Sequence, residues 1–129
     1  MTTPIALLIM SLAILLIINM IQATIGIIGR GIPASLGNRE AQESQEGFNG
    51  RLARTKANTV ENLLLFAPLM AAAVGLGVEN DLVVYGGMTY IAARVLYTFA
   101  YMAGIPGLRT VTWVVGVGGT VAVAIGLLP

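Results

Sequence analysis

The sequence predicts an all-α membrane protein, a four-transmembrane-helix bundle with almost no folded mass outside the bilayer. Composition, length and four apolar runs carry that expectation. Of 129 residues, 57% are hydrophobic and 10% are charged, whereas a soluble domain carries about 25% charged residues. One core of this size cannot hide so much apolar surface, but lipid can accept the excess. Crossing roughly 30 Å of hydrocarbon takes about 20 apolar residues. Four spans and their loops therefore use up the chain, and residues 1–129 are expected to form a single domain.

The first span covers about 4–29, an uncharged run with mild polarity at Ser11, Asn19, Gln22 and Thr24. It lacks the basic start and short apolar region of a cleaved signal, so it is expected to be retained. Asn19 and Gln22 fit hydrogen bonds to a neighbouring helix better than ligand contacts. From Arg30 to Gly50 the glycines, Pro33 and mixed charges predict a solvated loop. The second span covers about 51–77, polar in its first turns and then apolar, with a kink expected at Pro68. After a short acidic loop, the third span covers about 82–103 with Arg94 near its middle. Gly104-Ile105-Pro106-Gly107 is a turn, and the fourth span covers about 108–128. In that span Gly116, Thr120 and Ala124, and likewise Gly118, Ala122 and Gly126, recur every four residues. Such rows predict close helix packing in lipid.

Charge sets the expected topology. Arg30, Arg39, Arg51, Arg54, Lys56 and Arg109 border the first or third loop, and the second loop and both termini contain no cation. The positive-inside rule then places loops one and three in the cytoplasm and both termini outside. The compact form suggests a bacterial inner membrane. With no cysteine and no histidine, disulfides, a protein thiol nucleophile, the usual general base and the commonest transition-metal ligands are excluded. No metal is expected, and a net charge of +1 leaves no nucleic-acid footprint. Any thiol chemistry must use a thiol brought by a substrate.

An ionised residue inside a span costs about 2.5–3.5 kcal/mol on insertion scales, so each calls for a partner or a role. At 100° per residue, Arg51, Arg54, Asn58, Glu61 and Asn62 fall within an arc of about 100°, while Lys56 and Val60 point away. On the third span Tyr90, Arg94, Tyr97 and Tyr101 lie within about 60°. Arg30 ends span one and Arg109 begins span four on the same side. A plain structural alternative is a buried Glu61–Arg94 ion pair with the tyrosines and Asn58 bonding between helices. Against that, several arginines facing one carboxylate leave an excess of positive charge, which suits an anionic ligand. Arg51 is the member most easily read as an interfacial anchor.

At these residues the sequence resembles the MAPEG family, the membrane-associated proteins in eicosanoid and glutathione metabolism. The resemblance rests on RLARTKANTVENLLLFAPL, Arg51 to Leu69, and ARVLYTFAYMAGIPGLR, Ala93 to Arg109. It implies a homotrimer that binds glutathione between subunits, entered from the cytosolic side. It implies glutathione contacts from Arg54, Asn58, Glu61, Tyr97 and Tyr101, with Arg30, Arg51, Asn62 and Arg94 as further members of the pocket. Arg109 is similar to the arginine that activates the glutathione thiol, and Tyr97 or Tyr101 to a proton donor for the product. A thiol near pKa 8.5 becomes thiolate more readily beside a cation, at about 1.36 kcal/mol per unit of lowering. The function so implied is a glutathione-dependent transferase or peroxidase, using glutathione as co-substrate on lipophilic electrophiles or hydroperoxides. Two other readings stay open: a non-catalytic lipid-binding protein of the same fold, and a small four-helix exporter.

Overall fold

The computed structural model describes residues 2–37 and 46–129; Arg39, one of the topology-setting cations, lies outside the described residues. All regular structure described is helical: α1 Thr3–Arg30, α2 Ile32–Leu36, α3 Gly47–Leu76, α4 Asp81–Met102 and α5 Pro106–Gly126. The four long helices are each long and apolar enough to cross a membrane. They match the expected spans to within a few residues.

Local chemistry sets the helix ends. Pro4 sits in the first turn of α1, where a missing N–H costs nothing. Gly31, at φ 81°, closes α1 by donating its N–H to Ile27 O. Gly77 takes the left-handed conformation after α3, and Val78 N reaches back to Ala73 O at 2.9 Å while Gly77 N reaches Val74 O. That paired closure ends a helix sharply and returns the chain. Gly104 repeats it after α4, with Ile105 N on Ala100 O at 3.0 Å. Asn80 caps α4 by accepting from Val83 N at 3.0 Å. Its amide also donates to Gly126 O at 2.7 Å, so one side chain ties the start of α4 to the end of α5.

Two departures occur on the polar side. The stretch expected to be loop contains α2, and α3 begins at Gly47, four residues early. Glycine and asparagine disfavour helix locally. Yet Gly50 and Leu52 are buried, and Asn49 and Leu52 share a cleft with Gln22, Ile25 and Gly26 of α1. Packing against α1 therefore outweighs propensity. Pro68 lies on the exposed side of α3, and the helix runs unbroken through it.

The interior is assembled from Leu7, Phe66, Met70, Ala73, Val83, Tyr90, Ile91 and Val123. Phe66 and Tyr90 stack face to face, ring centres 3.7 Å apart. The closest helix pair is α4 with α5. A Cβ on Gly119 would stand 2.6 Å from Gly86 O, and one on Gly86 would stand 2.8 Å from Gly119 O. The buried face of α5 is Thr112, Gly116, Gly119, Val123 and Gly126. Small-residue packing thus holds on part of each expected row, through Gly116 and Gly126, and is joined by Gly119, which belongs to neither. Gly118 looks into open space, and Gly119 makes the near contact. A helix face repeats at intervals of three and four, so a strict four-residue row drifts off it.

Away from the polar side, Thr3 N donates to Glu79 Oε1 at 3.0 Å, pinning the first turn of α1 to the turn between α3 and α4. Hydrogen bonds from Thr3, through its side chain and then its backbone, hold the Glu79 carboxyl below its ordinary value of 4.5. A depressed carboxylate stabilises above the unfolded pKa and loses that contribution as pH falls through the folded one. Glu79→Gln is therefore expected to speed amide exchange at Thr3. In the wild type the same fraying should appear below about pH 4.5. Equal exchange in both proteins above about pH 4.5, where the wild-type carboxylate is ionised, would contradict the pin.

Candidate functional site

Helix rise places the polar residues in one layer. At 1.5 Å per residue, Glu61, Asn58 and Arg54 lie about 22, 27 and 33 Å along α3 from Leu76. Arg94, Tyr97 and Tyr101 lie about 20, 24 and 30 Å along α4 from Asp81, and Arg109 about 26 Å along α5 from Gly126. The turn at Gly77 and the Asn80–Gly126 bond bring those reference ends together. The layer therefore sits at the opposite end of the bundle.

Within it, Arg54 Nε donates to the Tyr101 hydroxyl at 2.9 Å. The Arg109 guanidinium carbon stands 5.0 Å from the Tyr101 ring centre, and Tyr97 lies 5.6 Å from the same ring. Glu61 and Arg109 both lie within electrostatic reach of the Tyr97 hydroxyl. Two guanidiniums from α3 and α5 thus meet a tyrosine pair from α4. Tyr101 accepts from Arg54, which leaves its own proton to be given elsewhere. The Arg109 guanidinium makes no hydrogen bond among the described residues, so its donors remain unspent. Tyr97 is buried and Tyr101 half-buried, so neither ring is fully given over to lipid.

Deeper in the layer, Arg94 is 1% exposed. Its Nη1 donates to Asn58 Oδ1 at 3.0 Å, and its carbon lies 5.0 and 5.7 Å from the Tyr97 and Tyr90 ring centres. Its Nε and Nη2 are buried without a partner. The Glu61–Arg94 ion pair does not form. Glu61 is exposed, and Asn58 occupies the place that a carboxylate would take. Asn62 is buried and gives its amide to Asn58, to the backbone O at 2.8 Å and to Oδ1 at 3.2 Å. Tyr90 belongs to the core through its stack on Phe66.

Two members stand apart. Arg51 is half-buried with Nε unpartnered, and no described contact joins it to the cluster. Arg30 is the last residue of α1, and its side chain lies outside the described residues. The polar cleft of Gln22, Ile25, Gly26, Asn49 and Leu52 shares no residue with the site.

One contributor escapes a reading by residue type. A Cβ on Gly116 would stand 2.6 Å from Arg94 Nη2, so the guanidinium lies on that glycine. The spacing of small residues marked Gly116 for packing, but nothing in the sequence names Arg94 as what it packs against.

No group of histidine, cysteine and carboxylate side chains among the described residues is arranged to hold a metal. The layer offers cations, amide donors, one exposed carboxylate and two phenols. It can bind a zwitterion or polyanion and stabilise an anionic nucleophile.

No curated protein and no solved structure matches the chain. The family model that does match is described as the MAPEG family and covers residues 2–128. On that match over nearly its whole length, this membrane protein belongs to the MAPEG family, proteins of glutathione and eicosanoid metabolism.

Proposed function

We propose that the protein is a glutathione-dependent membrane transferase or peroxidase. Glutathione is its co-substrate, and lipophilic electrophiles or hydroperoxides reaching the site through the bilayer are its targets. The observation that carries the proposal is the convergence of Arg54 and Arg109 on Tyr101, with Tyr97 beside it. Arg54 and Arg30 pair with glutathione carboxylates, and Glu61 accepts from the α-ammonium group. Arg109, with its guanidinium donors unspent, holds the sulfur as thiolate. The thiolate forms a C–S bond as the electrophile's leaving group departs. With a hydroperoxide it attacks oxygen, the O–O bond breaks, and the alkoxide takes a proton from Tyr97 or Tyr101. A second glutathione then reduces the sulfenic acid, giving disulfide and water.

Glu61 and Arg54 are exposed on the surface of a single chain. A charge left facing hydrocarbon costs about 2.5–3.5 kcal/mol. That cost supports a homotrimer in which a neighbouring copy covers this face of α3 and completes the glutathione site. The positions of the cations support loops one and three in the cytoplasm, with both termini outside.

Titration calorimetry of glutathione into the detergent-solubilised protein tests the reading. Arg54→Ala and Glu61→Gln each remove a charge-assisted hydrogen bond, so each is expected to weaken binding about 10- to 100-fold. Wild-type affinity in both variants would remove the proposal. Turnover of a generic aryl halide with glutathione separates a transferase from a non-catalytic lipid binder.

A further inference from the structure

Asn58 sits where two helices and the ligand face meet, and its carboxamide is asymmetric in use. Its Oδ1 accepts twice, from Arg94 Nη1 at 3.0 Å and from Asn62 Nδ2 at 3.2 Å. The orientation follows from the donors: a guanidinium can only donate, so the oxygen must face Arg94 and the nitrogen must face away. The Asn58 Nδ2 group makes no hydrogen bond among the described residues, and it is not sealed from its surroundings as Arg94 Nε and Nη2 are. It lies on α3 one turn from Arg54 and three residues from Glu61.

Arg94 has little freedom to let go. It is buried between the Tyr90 and Tyr97 rings, and a Cβ on Gly116 would meet Nη2 at 2.6 Å, Nε at 3.1 Å and Cζ at 3.2 Å. A guanidinium buried with two donors unpaired is costly as a stabilising device. Removing the charge is the cheaper route to a stable core, so what the charge does deserves a functional explanation.

We propose that Arg94, seated on Gly116, is a positioning residue that locks the Asn58 carboxamide with its NH2 toward the bound thiol peptide. That position then selects an acceptor oxygen on the ligand, a carbonyl or carboxylate, and rejects a donor. Arg94 touches no ligand in this arrangement and acts only through Asn58. The inference rests on the glutathione reading of the site.

Three substitutions in the full chain, Asn58→Asp, Arg94→Met and Asn58→Ala, with the last two also combined, test it by glutathione titration in detergent. Asn58→Asp keeps the shape and gives Arg94 a carboxylate partner, so the unfolding midpoint is expected to hold or rise. The ligand then meets an oxygen in place of NH2, and affinity is expected to fall about tenfold or more. Arg94→Met fills the same space without charge, a replacement that buried ion sites accept well, and frees Asn58 to turn. It is expected to weaken binding several-fold in the wild-type background and not at all in Asn58→Ala.

Unchanged affinity in Asn58→Asp overturns the inference. So does an equal loss from Arg94→Met in both backgrounds, because Arg94 would then act without Asn58. Either result leaves wild-type glutathione binding, and the proposed function, standing. A wild type that binds no glutathione removes both. If Asn58→Asp does not fold, the Arg94→Met and Asn58→Ala comparison decides alone.

Discussion

Gly119→Ala is expected to loosen the closest seam in the molecule and to disable the site with it. The added Cβ would meet Gly86 O at 2.6 Å, Tyr90 N at 2.8 Å and Tyr90 Cα at 3.2 Å. All three are backbone atoms of α4, so no side chain can rotate away and the two helices must separate. Overpacking of this kind costs about 1–3 kcal/mol, and backbone obstruction belongs at the upper end. Alanine recovers up to about 1 kcal/mol of helix propensity over glycine, which is too little to offset it. Gly118→Ala is the matched control, because a Cβ there would meet no other helix within 4 Å. Its unfolding midpoint in detergent should stay within about 0.5 kcal/mol of wild type or rise slightly. Glutathione binding should fall with Gly119→Ala, since α4 carries Arg94, Tyr97 and Tyr101 while α5 carries Arg109 and Gly116. Indistinguishable midpoints for the two alanine variants would show that the seam is not where the stability lies.

Arg109→Ala is expected to lower turnover at pH 7 by about 100-fold or more, the usual effect of deleting one donor aimed at a developing anion. Glutathione affinity should change far less, because Arg54, Asn58 and Glu61 remain. A cation beside sulfur favours thiolate, so removing it returns the bound thiol toward a pKa of about 8.5. The sign follows: the variant is slow at neutral pH and regains rate as pH rises through about 8.5, whereas the wild type is already ionised there. Thiolate absorbance on binding, followed against pH, reads the same shift without turnover. An identical pH profile in both proteins would exclude Arg109 as the group that ionises the thiol.

The parts of the site legible in advance are those written in residue type and helical spacing. Arg54, Asn58 and Glu61 share a face of α3 because seven residues make nearly two turns. Tyr97 and Tyr101 share a face of α4 for the same reason. The Gly104–Gly107 turn brings Arg109 back beside Tyr101. Pairings across helices were not legible. Glu61 and Arg94 have opposite charges at similar depth, so sequence alone favours an ion pair. Yet α3 is turned so that Asn58 meets Arg94 while Glu61 looks outward. That same rotation buries Asn62, whose spacing made it equal to its neighbours, and its amide is spent on Asn58.

By itself the sequence determined that this chain is a four-span helical membrane protein, where its turns fall, and which residue types gather at one end. Those properties follow from apolar length, glycine and proline chemistry and the cost of charge in lipid, all of which are local. Only the tertiary structure decided how each helix is rotated about its axis, and so which glycine touches α4 and which amide touches Arg94. The reason is physical. Lipid is as apolar as leucine, so hydrophobicity does not tell an inward face from an outward one, and fine packing of small residues and hydrogen bonds between helices makes the choice.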